Sequence, residues 1–208
     1  MSPPSDSHGS ERRRLRSTAD RREHVIDSVV FYGLGQVLVL TTLWLWYVYQ
    51  SPFRRGDVVL GTIVALSCLP LGIGLRRQRA AVGTVSWPKI DDVTLGIGDG
   101  YRRCLARGVL LSAIIGIAAY GAAAVGTVTT TALAPAAVAL ASVVAGVRVF
   151  PELVGLKRRA RGRRIALYAI ALAGGFYFGA PFASGVGFHS AYVLYPLLVA
   201  LGVLDAIL

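Results

Sequence analysis

The stretch Val109–Val128, VLLSAIIGIAAYGAAAVGTV, decides the fold class, because no charged side chain interrupts it from end to end. A helix needs about 20 predominantly apolar residues to cross the roughly 30 Å hydrocarbon core of a bilayer. The uncharged turn Thr127-Val128-Thr129-Thr130-Thr131 leads into a second run, Leu133–Phe150, LAPAAVALASVVAGVRVF, whose one charged residue, Arg148, lies near its end. Then charge arrives all at once, in Lys157-Arg158-Arg159-Ala160-Arg161-Gly162-Arg163-Arg164. Charges clustered between long uncharged runs are the membrane pattern.

The same pattern extends in both directions. Toward the C-terminus lie the apolar runs Ile165–Phe182 and Ala191–Leu208, joined by the uncharged Ala183-Ser184-Gly185-Val186-Gly187. Toward the N-terminus lie Val29–Tyr49 and Val58–Leu75. The first of these ends in Trp44, Trp46, Tyr47 and Tyr49, residues suited to an aromatic belt at the far interface. Pro70 is expected to kink the second or to end its regular part early. Apolar residues make up 54% of the 208-residue chain and charged residues 16%, whereas a soluble domain carries roughly 25% charged residues. Mean hydropathy is +0.59. The sequence therefore predicts an all-α fold, a polytopic transmembrane helix bundle of about six spans.

Residues 1–27 read as a basic, largely disordered tail, and 28–208 as the transmembrane domain with a juxtamembrane loop at 76–107. Within that loop Val93, Ile97 and Tyr101 recur at helical spacing, with Asp91 and Asp92 before them and Arg102, Arg103 and Arg107 after. Acid first and base last suits a helix dipole, so 91–107 is a candidate interfacial helix. Gly96, Gly98 and Gly100 count against it, and the sequence leaves the choice open.

Placing the N-terminus inside puts the tail arginines, the Arg76–Arg107 group and the Lys157–Arg164 group all on one side, leaving Arg54 and Arg55 on the other. An even number of spans returns the C-terminus to the same side. The positive-inside rule then predicts a multi-pass protein of the cell membrane with both termini cytoplasmic. The formal net charge of +11 fits anionic headgroups at that face rather than nucleic acid, because nearly every Arg and Lys borders an apolar run. The bilayer is the expected partner, and the chain is open to homo- or hetero-oligomerisation.

Signatures of chemistry are weak. Gly96-Ile97-Gly98-Asp99-Gly100 lacks both the G-x-G-x-x-G spacing and a Walker-type ending. Ala183-Ser184-Gly185 with His189 invites comparison with the intramembrane Ser–His pair of rhomboid proteases, but Phe182 stands where that family's Gly-x-Ser-Gly motif needs glycine. A serine nucleophile also needs a base in reach and a held oxyanion site, and that family's His comes from a separate helix. His8 and His24 have no second ligand at metal spacing. No catalytic residue, cofactor or metal is expected. Cys68 lies within an apolar run and Cys104 beside Arg102 and Arg103, at different expected depths, so both are expected to be free thiols.

Two features remain. Arg148 and Glu152, four residues apart, and Asp205, one turn from the last residue, form a candidate inner charge cluster. Ala171, Gly175 and Gly179 form a small-residue ridge for helix packing. Together these predict a non-enzymatic accessory or scaffold component. The alternative is a small permease or channel component, with a polar cavity lined by Gln36, Tyr120, Tyr177, Tyr195 and the charge cluster.

Overall fold

A computed structural model describes Ile26 and residues 28–81, 99–182 and 190–208. Among these residues all regular structure is helical. A π-helical stretch, Ser28–Gly35, leads into α1, Gln36–Tyr49. Then come α2, Arg55–Ala81, and α3, Asp99–Gly126. They are followed by α4, Leu133–Leu153, α5, Arg158–Gly179, and α6, Ala191–Ile207. Three segments are long and apolar enough to cross a membrane: Arg55–Arg76 in α2, Tyr101–Gly126 in α3 and Leu133–Leu153 in α4. Helices α1 and α6 are apolar but shorter, and α5 opens on the arginine run.

Successive helices reverse direction. Arg76 near the end of α2 reaches the Val147 carbonyl near the end of α4, and Asp57 at the start of α2 sits over Gly126 at the end of α3. One end of the bundle therefore gathers the basic residues of α2, α3, α4 and α5, and the opposite end gathers the short turns. Helix α3 packs on each of α1, α2, α4, α5 and α6. Of its apolar window 72% is buried, against 39% for α2 and 33% for α4. A helix that is apolar all round belongs in the interior, and α3 meets that description from Val109 to Gly126.

Several expectations need correction. The first run is α-helical only from Gln36, its start being π-helical. Helix α2 passes through Pro70 and continues to Ala81. At this proline the chain before α1 comes close, since a Cβ on Gly33 would lie 2.5 Å from the Pro70 carbonyl oxygen. The juxtamembrane loop is shorter than 76–107, because α2 extends to Ala81 and α3 begins at Asp99. The residues Leu75-Arg76-Arg77-Gln78-Arg79-Ala80-Ala81 are good helix formers throughout. At the other edge Asp99 stands at an N-terminus, where an acid is favoured, and Gly100 lies within the helix. The proposed tail before Ile26, the glycines at 96 and 98 and the Ser184–His189 segment lie outside the described residues.

Glycine sets the spacing between α2 and α3. A Cβ added to Gly61 would lie 2.6 Å from the Ala118 carbonyl oxygen and 2.8 Å from the Ala119 Cα. Those are backbone atoms, so only movement of a whole helix could relieve the overlap. Nothing lies within 4 Å of the corresponding position on Gly56, in the same helix. Gly61→Ala should therefore cost about 1–3 kcal/mol, as overpacking does, and lower the detergent unfolding midpoint by about 2–10 °C. Gly56→Ala should leave the midpoint unchanged or raise it, because alanine is the better helix former. Equal midpoints for the two variants would mean that α2 and α3 stand farther apart.

Candidate functional site

Polar groups inside the bundle fall into two layers. The first lies at the basic end and centres on Arg164, which is 1% exposed. Its Nε donates to one Asp205 oxygen at 2.7 Å and its Nη2 to the other at 2.8 Å. Its Nη1 donates to the Leu153 carbonyl at 2.5 Å and more weakly to that of Gly155 at 3.4 Å. This is the two-pronged arginine–carboxylate geometry, with the remaining donor used on the end of α4. Arg161, one turn earlier, donates to the backbone oxygen of Leu208 at 3.0 Å. Cations near a helix C-terminus are favoured by its dipole, so Arg161 and Arg164 fasten α5 to the ends of α4 and α6.

The second layer is aromatic. Trp44 is fully buried, with ring centroids of Tyr168, Tyr120 and Tyr47 at 5.6, 6.3 and 6.4 Å. Its indole N–H has no acceptor among the described residues. The tyrosine hydroxyls, by contrast, are used. Tyr47 donates to the Gly175 carbonyl at 2.8 Å and Tyr168 to that of Leu198 at 2.9 Å. Tyr195 donates to Leu172 at 3.2 Å, and Tyr120 shares a hydrogen bond with the Ser51 hydroxyl at 3.2 Å. Nearer the turns, Ser190 donates to the Gln50 side-chain oxygen at 2.7 Å, tying α6 to the end of α1. Each bond takes an amphipathic ring that would otherwise bury an unpaired hydroxyl and gives it a backbone or side-chain partner.

The candidate charge cluster is distributed differently from its sequence positions. Asp205 is buried and belongs to Arg164. Arg148 and Glu152 are exposed on α4, and no ion pair joins them. The reason is helical phase: the buried face of α4 runs through Ala139, Val143, Gly146, Val147 and Phe150, and Arg148 lies off it. Arg164 lies on the buried stripe of α5, with Ala160, Tyr168, Ala171 and Gly175. Asp205 lies on that of α6, with Leu194, Leu198 and Gly202. That shared periodicity was the signal available in the sequence, hidden within a run of basic residues.

Ala171, Gly175 and Gly179 all lie on the buried face of α5. They receive aromatic rings: a Cβ on Gly175 would sit 3.1 Å from Tyr47 Cε1, and one on Gly179 would overlap the Tyr47 hydroxyl. Of the residues considered for a polar cavity, Tyr120 and Gln36 are buried, Tyr195 is partly buried and Tyr177 is 73% exposed. They do not converge on one space. A recess of about 580 Å³ does open at the turn end, lined by Arg54, Asp57, Gly126, the threonine turn and Ala132. Arg54 there adopts a left-handed backbone, φ 50°, and pairs loosely with Asp57 at 3.8 Å.

Residues 19–156, about two thirds of the chain, match a family described as a domain of unknown function, DUF8215, and the chain belongs to that family. The match takes in α1 to α4 and ends between Leu153 and the start of α5. No curated protein and no solved structure matches the chain.

Asp205→Leu should cost about 3–5 kcal/mol, because it strands the buried Arg164 charge. The double variant Arg164→Met/Asp205→Leu should recover most of that loss, while Glu152→Ala should stay within about 0.5 kcal/mol of the parent. Chemical unfolding in detergent reads all three, and a harmless Asp205→Leu would show that the pair contributes nothing. Gly179→Leu should displace Tyr47, break its bond to Gly175 and lower the midpoint well below that of Leu172→Ile. Equal midpoints there would deny Gly179 its part in seating Tyr47.

Proposed function

We propose that this DUF8215 member is a multi-pass membrane protein of six spans, with both termini cytoplasmic, that serves as a non-enzymatic accessory or scaffold component. The supporting observation is the position of α3. A pathway for solute through a small bundle needs its axis open, and here the axis is occupied by a helix in contact with all five others. The side chains against the middle of α3 include the Trp44 ring, Leu40 and Val138, with Asp57 only at its end, and the hydroxyls of Tyr47, Tyr120 and Tyr168 are committed to bonds with other segments of the bundle.

The six-span reading is supported by the alternating direction of the helices and by the gathering of Arg76, Arg148 and the Lys157–Arg164 run at one end. Helix α5 is 22 residues long, about 33 Å at 1.5 Å per residue. Its basic first turns would then stand in the headgroup layer, and the rest of the helix, residues 165–179, covers about 22 Å of the roughly 30 Å core. The 17 residues of α6 sit at the short end of the spanning range.

Two measurements test the proposal. Reporter fusions after Gln50 and Thr130 should report the outside, and fusions after Arg79, Arg161 and Leu208 the inside; an outside reading at Leu208 would sink the six-span topology. Purified protein in vesicles loaded with small neutral, cationic and anionic dyes should release them no faster than protein-free vesicles. Protein-dependent release of any dye would favour the permease reading instead.

A further inference from the structure

The outward face of α5 is basic at its start and lined with small residues beyond. Arg158, Arg159 and Arg163 are exposed, as is the N-cap Lys157. None of the four side chains has an ion pair or hydrogen-bond partner among the described residues, in contrast to those of Arg161 and Arg164. Helical spacing puts Arg158, Arg159 and Arg163 around Gly162, and nothing lies within 4 Å of a Cβ built there. The arrangement is costly in isolation. Arg159 and Arg163 are like charges four residues apart, and all of them crowd a helix N-terminus, where the dipole favours anions. The helix has no acid in its first turn and no side-chain cap.

Above the cations the same face presents Ala166, Ala169 and Ala173, all exposed. From Arg163 to Ala173 is ten residues, about 15 Å of helix and thus about half of a roughly 30 Å hydrocarbon core. Beyond this, exposed Phe176 and Tyr177 flank the stripe. An alanine face one leaflet long, with exposed Ile170 at its side, therefore starts at the unpaired cations.

We propose that this face is a binding site for an anionic phospholipid, its phosphate held by Arg158, Arg159 and Arg163 over Gly162 and one acyl chain lying along Ala166, Ala169 and Ala173. The site rests on the membrane reading above. A phosphate supplies the negative charge that both the arginines and the helix end lack. A second copy of the chain is the weaker occupant. Two copies inserted with the same orientation would press these cations against each other at one depth.

The test uses the full chain purified in mild detergent, with lipid retention read by native mass spectrometry against added phosphatidylglycerol or phosphatidylcholine. Phosphatidylglycerol should be retained preferentially. Replacing Arg158, Arg159 and Arg163 together by Gln should weaken that retention about 100-fold, at roughly one surface-cation contribution each. Replacing all three by Lys should preserve most of it, which separates loss of charge from loss of fold. Arg54→Gln/Arg55→Gln, at the other end, should change nothing. Ala166→Phe/Ala169→Phe should weaken retention with the cations intact. The proposal is overturned by equal retention of the two lipids, by full retention in the Gln variant, or by glycerol phosphate displacing the lipid at equal concentration, which would mark a free-phosphate site. Carbonate extraction separates the two readings. A chain released from membranes would end the membrane reading itself, whereas an integral chain with no lipid preference would end only this site.

Discussion

Because α3 touches every other helix, its girth sets how closely all of them approach one another. Helix axes pack at roughly 8–10 Å depending on the side chains between them, and α3 keeps to small ones wherever a neighbour is bulky. Gly116 receives the Trp44 ring and lies against Ala171, and Ala118 and Ala119 receive the α2 backbone at Gly61. Where α3 is itself bulky, at Tyr120, the partner α5 offers Gly174, whose Cβ would sit 2.8 Å from that of Tyr120. Small meets large at Gly116 and Gly174 and small meets small at Gly61, and dispersion attraction is collected along the helix. In the bilayer proposed above there is little hydrophobic driving force between helices, so this fit would carry much of the association.

The polar groups follow from that geometry. Close packing leaves no room for water around a buried hydroxyl, and so the hydroxyls of Tyr47 and Tyr168 reach main-chain carbonyls on neighbouring helices. The same holds for Arg164, whose one guanidinium joins α5 to the ends of both α4 and α6. A buried ion pair is seldom a large net source of stability against an apolar substitute, but breaking one is costly. Its effect here is on register, since it fixes how far α5 and α6 slide along each other.

Much of this was legible in the sequence. Long uncharged runs between arginine clusters place all six helices, and the small residues of α5 announce close contacts. What periodicity alone could not supply was which neighbour fills each contact. On the ridge of Ala171, Gly175 and Gly179, the two glycines lie against the Tyr47 ring, whereas Ala171 lies against Gly116 of α3. Likewise the four aromatics ending α1 read as one interfacial belt, yet Trp46 and Tyr49 face outward while Trp44 and Tyr47 are core. Their spacing separates them into two helix faces, a distinction that composition at an interface does not make. The Arg164–Asp205 pair was hidden because the two residues are 41 apart and each is conspicuous only on its own helix's buried stripe. Pro70 misled because the hydrogen bond a proline removes is a single local one, and α2 continues through it to Ala81 with Gly33 packed closely against the same turn.

The reach of Arg164 to Leu153 and to Asp205 also imposes an order on biosynthesis. A chain is made from its N-terminus, so α1 to α4 are complete before α5 emerges, and α5 before α6. Between α5 and α6 the guanidinium has the Leu153 carbonyl but no carboxylate, and the Tyr168 hydroxyl has no Leu198 acceptor. The last helix therefore delivers both the counter-charge and, through Leu198, the acceptor for Tyr168. Ribosomal timing brings α6 to the pair after α5, and a chain truncated before Asp205 would leave the buried Arg164 without its carboxylate.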